Sequence, residues 1–347
     1  MLAISAADAI SPAIQRTRTF LFRPFRLATF LKLCLVACVT EGIGGNFQFG
    51  GTGGPASHHH SNFYPPPTLT AGWIAVVVVI AVAAMALGCV LYYLVTRLRF
   101  AYFHCVIHNT KEIRPGWRLY SAQAKRFFWL NVAVGFSFLL AAALIFLPFI
   151  AGFWKLVRNT HAGAHPALAS ILILLLPLIP ILFLLVLAAI SADIILRDLM
   201  LPHFALENAS AGSAWSAVWT RIKAEKGSFV LYAFLRILLP MAALVGLFIV
   251  LIIPGILFLV AVIGADVGLH AVFSNASSAA AAIGVLLEVL IGVVAFAIAL
   301  SVGIAVGGPV GTAIRQYALL FYGSRYEPLA NLLWPPATIG PSAPEIA

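Results

Sequence analysis

The chain has 347 residues and a mass of 37.0 kDa, with 62% apolar residues, only 9% charged residues and a mean hydropathy of +1.03. A soluble domain carries about a quarter charged residues, so this chain has too few to coat a water-facing globule of its size and reads as a polytopic membrane protein. Lys and Arg number 21 against 11 Asp and Glu. These basic residues border long apolar runs instead of forming one stripe, so the excess points to anionic lipid, and nucleic acid is not an expected partner.

Residues 1–15 lack the basic start and apolar stretch of a cleaved signal peptide. Arg16, Arg18, Arg23 and Arg26 follow, so residues 1–26 read as a basic cytoplasmic segment. A first apolar run, Leu27–Ile43, contains Lys32 and Glu41. Within it, Leu35-Val36-Ala37-Cys38 matches a lipoprotein cleavage box, but Lys32 leaves too short an apolar stretch before it. The loop Gly44–Thr70 is uncharged, rich in Gly, Pro and His, and expected to be disordered on the outside.

A spanning helix needs about 20 apolar residues. Trp73–Leu98, Phe127–Phe153 and Ala167–Ile195 meet that length. Two further runs are longer. Phe229–Ile263 is interrupted by Pro240 and Pro254-Gly255, and Ala279–Tyr322 by Gly307-Gly308-Pro309, which fits broken or kinked helices, these last two spans extending as half-helices along the interface. The expected fold is therefore all-α: a polytopic membrane helix bundle of six spans, residues 27–327, with interfacial amphipathic helices. A Pro-rich cytoplasmic tail, 328–347, follows it.

The basic residues orient this bundle. With both termini inside, nineteen of them fall on the cytoplasmic side and only Lys155 and Arg158 outside. The four cysteines, Cys34, Cys38, Cys89 and Cys105, have no CxxC spacing and read as buried or interfacial thiols.

Few residues suggest chemistry. Glu288 lies near the middle of its run and is a candidate functional carboxylate, because an ionised acid at membrane depth is costly. It faces the bundle interior, is protonated or pairs with a base, and a packing hydrogen bond is the equal alternative. Asp193 and Asp198, near a cytoplasmic helix end, are expected to pair with Arg197 or face water, and Arg236 to snorkel to the inner interface. His104, His108 and Glu112 have metal-ligand spacing, but the preferred reading is an amphipathic interfacial helix, since structural sites use three or four ligands and HExxH is absent. His58-His59-His60, His161 and His165 read as incidental loop histidines. Gly307–Gly311 lacks the Lys-Ser/Thr of a phosphate loop, and Ser191 and Ser301 have no His nearby in sequence. Asn275-Ala276-Ser277 is a glycosylation sequon. No catalytic residue, metal ligand or cofactor is expected.

The segment Ser213–Lys226 places Trp215, Val218, Trp219 and Ile222 on one helical face, with Arg221, Lys223 and Lys226 on others. Ser213 is the expected N-cap and Gly227 the stop. At this length the helix is expected to lie flat at the inner leaflet, its tryptophans at head-group depth and its basic residues toward anionic lipid. The competing reading packs both tryptophans into the bundle.

Four segments together carry a resemblance. They are Arg23-Pro24-Phe25-Arg26 with Phe30-Leu31-Lys32-Leu33; Arg97-Leu98-Arg99-Phe100 with Ile113-Arg114-Pro115-Gly116-Trp117; Asp198-Leu199-Met200-Leu201-Pro202 with Ala214-Trp215 and Gly227-Ser228-Phe229; and Arg315-Gln316-Tyr317-Ala318-Leu319 with Gly323 and Tyr326-Glu327. This pattern resembles a prokaryotic family of integral membrane proteins of unknown function. The third segment, through Pro202, Glu207, Ala214 and Trp219, is also distantly similar to the membrane domain attached to some glycerophosphodiester phosphodiesterases. The catalytic phosphodiesterase domain has no counterpart here, so the resemblance implies location and architecture and not that reaction. Nor does it require the histidines. The functional expectation is a non-enzymatic protein of the bacterial inner membrane whose basic cytoplasmic face engages anionic lipids. A transporter using broken helices and Glu288 is the alternative, and a membrane-embedded enzyme the least favoured. The expected partners are membrane lipids, anionic on the cytoplasmic side, with a homo-oligomer left open.

Overall fold

The computed structural model describes residues 3–41, 71–161, 175–273 and 278–335. The loop 44–70 with its three histidines, His165, the sequon and residues 336–347 of the tail lie outside the described residues. All regular structure among those described is helical. The helices are α1 (Ile10–Phe22), α2 (Leu27–Glu41), α3 (Ala71–Ile107), α4 (Arg114–Leu119), α5 (Ser121–His161), α6 (Leu178–Ile194), a π-helical turn (Ile195–Met200), α7 (Leu201–Leu206), α8 (Ala211–Ala224), α9 (Lys226–Phe273), α10 (Ser278–Gly323) and α11 (Glu327–Leu333). They form two compact units, residues 1–116 with 227–347, and residues 117–226.

Among the described residues, five helical stretches are long and apolar enough to cross a membrane: Ala75–His108, Ser121–Leu156, Leu178–Leu206, Lys226–Phe273 and Ala280–Gly323. The expectation of six is met for these five runs. The sixth, Leu27–Ile43, appears as α2, whose 15 residues reach about 22 Å, short of a hydrocarbon core of about 30 Å. Its Phe30, Leu33, Cys34, Val36 and Ala37 are buried against protein.

Each long helix has two regimes. In the first unit, α3 exposes Val76–Leu94 and buries Phe100–Ile107, while α10 exposes Ile283–Val302 and buries Ile314–Tyr322. The second unit repeats this pattern: Phe136–Trp154 of α5 and Ile179–Leu187 of α6 present exposed apolar side chains, and Ala124–Phe128 and Ile194–Ala205 mostly bury theirs. Apolar surface of this extent, costing about 25 cal/mol per Å² in water, marks a partner phase rather than a solvated face.

The expected breaks in the two longest runs are absent. α9 runs through Pro240 and Pro254, and α10 through Pro309. Gly308 has a different role: a Cβ there would overlap the Cβ of Cys34. Gly311 meets the carbonyl of Ala37 in the same way, at 3.2 Å. These glycines let α2 lie directly on α10, the small-residue device of close helix contacts.

Candidate functional site

That close contact brings a carboxylate into the core of the first unit. Glu41, at the end of α2, is 4% exposed and lies 3.8 Å from Nε of Arg315 on α10 and 3.8 Å from Nη2 of Arg236 on α9. Arg315 also stacks over Phe103, 5.4 Å from its centroid. Beside it, Tyr102 and Thr312 share a hydrogen bond of 2.7 Å, and the Thr312 hydroxyl donates to the Gly308 carbonyl at 2.8 Å. Taking three ionised groups out of water is costly unless they compensate one another, which one carboxylate between two guanidiniums does in part. Arg236 therefore turns inward to an acid instead of snorkelling outward as the sequence suggested. The sequence showed Glu41 only as a flaw in an apolar run, and nothing local signalled its partners 195 or more positions away.

Aromatic stacking closes the same end of the unit. Tyr232 lies nearly parallel to Phe321, with centroids 4.3 Å apart, and Arg325 caps Phe321 at 4.1 Å.

In the second unit the charges gather around the π-helical turn. Arg197 pairs with Asp193 at 3.0 Å, as its spacing suggested. Asp198, by contrast, does not face water. It is 1% exposed, because the wider π turn changes the helical phase and carries Leu196 through Ala205 into the packed region. His203, also buried, meets Glu207 through Nδ1 at 3.0 Å. It is a buried polar residue that sequence reading missed, directly after the Asp198–Pro202 motif already singled out.

Glu288 does find a base: Oε1 lies 3.2 Å from Nδ1 of His270. The pair lies toward the loop that joins α9 and α10, and His270 is 75% exposed. Asp198→Asn is therefore expected to destabilise the fold more than Glu288→Gln. Gln can keep the bond to an exposed histidine, whereas Asp198 is held within packed protein. Thermal unfolding in detergent measures this, and equal midpoints would refute it.

The rings of His104 and His108 lie 4.5 Å apart, and Cys105 donates through Sγ to the Glu112 carbonyl at 3.2 Å. Among the described residues, no group of three or more His, Cys, Asp or Glu side chains is placed to hold a metal ion.

The amphipathic segment forms α8, three residues earlier than expected. Ser210, not Ser213, is the N-cap, accepting from the Ser213 amide at 3.2 Å, and the helix ends before Glu225. Ala214 and Val218 are buried, while Trp215 and Trp219 are 47% and 43% exposed and stack with centroids 5.7 Å apart. Lys223 lies 5.6 Å over the Trp219 ring. Trp215 also borders an apolar cleft of about 590 Å³ shared with Val134, Phe138, Ile195 and Met200.

No curated protein and no solved structure matches the chain. A family model described as a family of unknown function, DUF7544, matches residues 4–332. Nearly the whole chain is covered, and the protein belongs to that family.

Proposed function

We propose that this is a non-enzymatic integral protein of the bacterial inner membrane. Its packed helix ends lie at the cytoplasmic face, where exposed cations hold anionic lipid. One observation carries the reading: the long helices leave their apolar shafts bare, while Arg23 and Arg26 in one unit and Lys223 and Lys226 in the other stay exposed outside those shafts. Each Lys or Arg near an anionic surface is worth about 1 kcal/mol. The half-exposed Trp215 and Trp219 suit head-group depth, where an aromatic ring is wetted at one end.

Both termini on one side of the membrane is part of this proposal. Arg16 donates to the Leu333 carbonyl at 2.9 Å, and Arg325 to the Ile4 carbonyl at 3.0 Å, so the two ends of the chain are tied together. Such ends require an even number of crossings, whereas five helices among the described residues are long and apolar enough to cross, so this orientation needs α2 as the sixth. In a cysteine-free background, a cysteine at Gly50 is expected to label with an impermeant thiol reagent from outside intact cells, and one at Lys125 is not. Reversed labelling would refute the orientation.

Lipid preference is tested on a variant that keeps only Trp215 and Trp219. Brominated phosphatidylglycerol is expected to quench their emission more than brominated phosphatidylcholine. Lys223→Gln with Lys226→Gln removes about 2 kcal/mol of attraction, a factor of roughly thirty, and the preference with it. Equal quenching by both lipids in the parent would refute the lipid reading, and no quenching at all would bury the tryptophans in protein.

The resemblance of the third segment to a phosphodiesterase-associated membrane domain assigns no reaction. A transporter reading retains only the His270–Glu288 pair, since α9 and α10 are continuous.

A further inference from the structure

Next to the charged core of the first unit lies a cavity of about 430 Å³, within the range of small-ligand sites. Gln15, Arg16, Thr19, Asn109 and Gln316 supply its polar wall, and Leu320 and Trp334 part of its apolar one. Two polar groups in that wall are uncommitted. Gln316 is only 3% exposed, and its Oε1 has no hydrogen-bond partner among the described residues. Arg16 uses Nη2 on the Leu333 carbonyl, while its Nη1 is shielded from solvent and has no hydrogen-bond partner there either.

A shielded guanidinium edge and a buried amide are costly to leave unmet. No Asp or Glu lines the cavity to balance the charge, and burial pushes the Arg16 guanidinium below its ordinary pKa. We propose that the cavity is an oxyanion site that takes a phosphate or phosphoester group, gripped by Arg16 and Gln316. The half-buried Arg16 guanidinium, whose Nη1 no described group holds, supplies a charged donor of the kind that holds phosphate oxygens. The Gln316 amide turns its NH₂ inward, an orientation chosen by its partner, and Asn109 serves a further oxygen, while the Thr19 hydroxyl is committed to the Gln15 carbonyl at 3.1 Å. A phosphate has more oxygens than a carboxylate to satisfy these donors. The apolar wall and the volume leave room for an attached group of several heavy atoms. Such a group could belong to a free phosphoester or to a lipid head group.

Trp334 is a built-in reporter. The full chain in phosphatidylcholine nanodiscs is titrated with inorganic phosphate and, separately, with rising phosphatidylglycerol content. The signal is the emission change that Trp334→Phe abolishes. Saturation by phosphate assigns a free phosphoester, and saturation by phosphatidylglycerol alone assigns a head group. Arg16→Gln is expected to weaken the response by roughly tenfold or more, the worth of a charged hydrogen bond. Gln316→Leu weakens it less, and Arg18→Gln, on an exposed position of the same helix, leaves it unchanged. If Arg16→Gln fails to fold, Gln316→Leu carries the test alone. No saturable change with either probe would show that the cavity holds only water. That result, or an Arg16→Gln or Gln316→Leu variant that titrates like the parent, overturns the site. General preference for anionic lipid is read from Trp215 and Trp219, so its failure is distinguishable from failure here.

Discussion

Replacing Glu41 with leucine is expected to lower the stability of the protein by about 3 to 5 kcal/mol, the cost of leaving buried charge uncompensated. Glu41 lies 3.8 Å from both Arg315 and Arg236, and Arg315 is 1% exposed. Without the carboxylate, Arg315 keeps its stacking on Phe103 but loses its counter-charge. Glu41→Gln keeps the shape and loses the charge, so it is expected to recover only a small part of the stability. A double variant, Glu41→Leu with Arg315→Met, removes both ends of the conflict and is expected to be more stable than Glu41→Leu alone. Asp8→Asn, at an exposed position bonded only to Ser5 at 2.6 Å, is the comparison that should change little. Detergent-solubilised thermal unfolding reads all four. If Glu41→Leu unfolds with Asp8→Asn, the buried cluster contributes nothing to the fold. If the double variant is no better than the single, the loss comes from packing and not from charge.

The second large effect separates two glycines on one helix. Gly308→Ala is expected to destabilise by about 1 to 3 kcal/mol or more, as overpacking does, because the new Cβ collides with the main chain and side chain of Cys34. Main chain cannot rotate away as a flexible side chain can, so α2 must lift off α10. Gly308→Leu is expected to prevent the two helices from packing at all. Gly303, just over one turn earlier, has nothing within 4 Å of the same probe position. Gly303→Ala is expected to be neutral or to stabilise by up to about 1 kcal/mol, since alanine is the better helix former. The pair is informative because helix propensity and hydrophobicity change identically at both sites. Equal midpoints for Gly303→Ala and Gly308→Ala would mean that α2 does not rest on α10 in solution. A Cys34→Ala substitution beside Gly308→Ala is expected to return part of the loss by removing the thiol from the clash.

Composition and the length of apolar runs were enough to establish a helical chain with helices apolar enough to cross a membrane, because a hydrocarbon core demands internally bonded backbone and about 20 apolar residues per passage. Runs such as Trp73–Leu98 and Phe127–Phe153 satisfy that demand locally, so α3 and α5 were legible without knowing what they touch. The i, i+4 pair Asp193 and Arg197 was legible for the same reason: both ends of the interaction sit on one turn. Position in the tertiary structure decided the rest. Pro254 and Gly307–Pro309 read as breaks, yet α9 and α10 run through them, because a helix break is a choice made by neighbours as well as by residues. Gly308 is spent on the approach of Cys34, some 270 positions away, which no local pattern records. Glu41 looked like a blemish in an apolar run until α9 and α10 brought Arg236 and Arg315 beside it. Asp198 was expected to pair with Arg197 or face water, because local spacing cannot anticipate the π turn in which it is buried. Short-range periodicity therefore determined which segments are helices and which are apolar. Which charges are buried, and against which partners, was settled only where distant helices meet, because the cost of burying an ion depends on what else is buried with it.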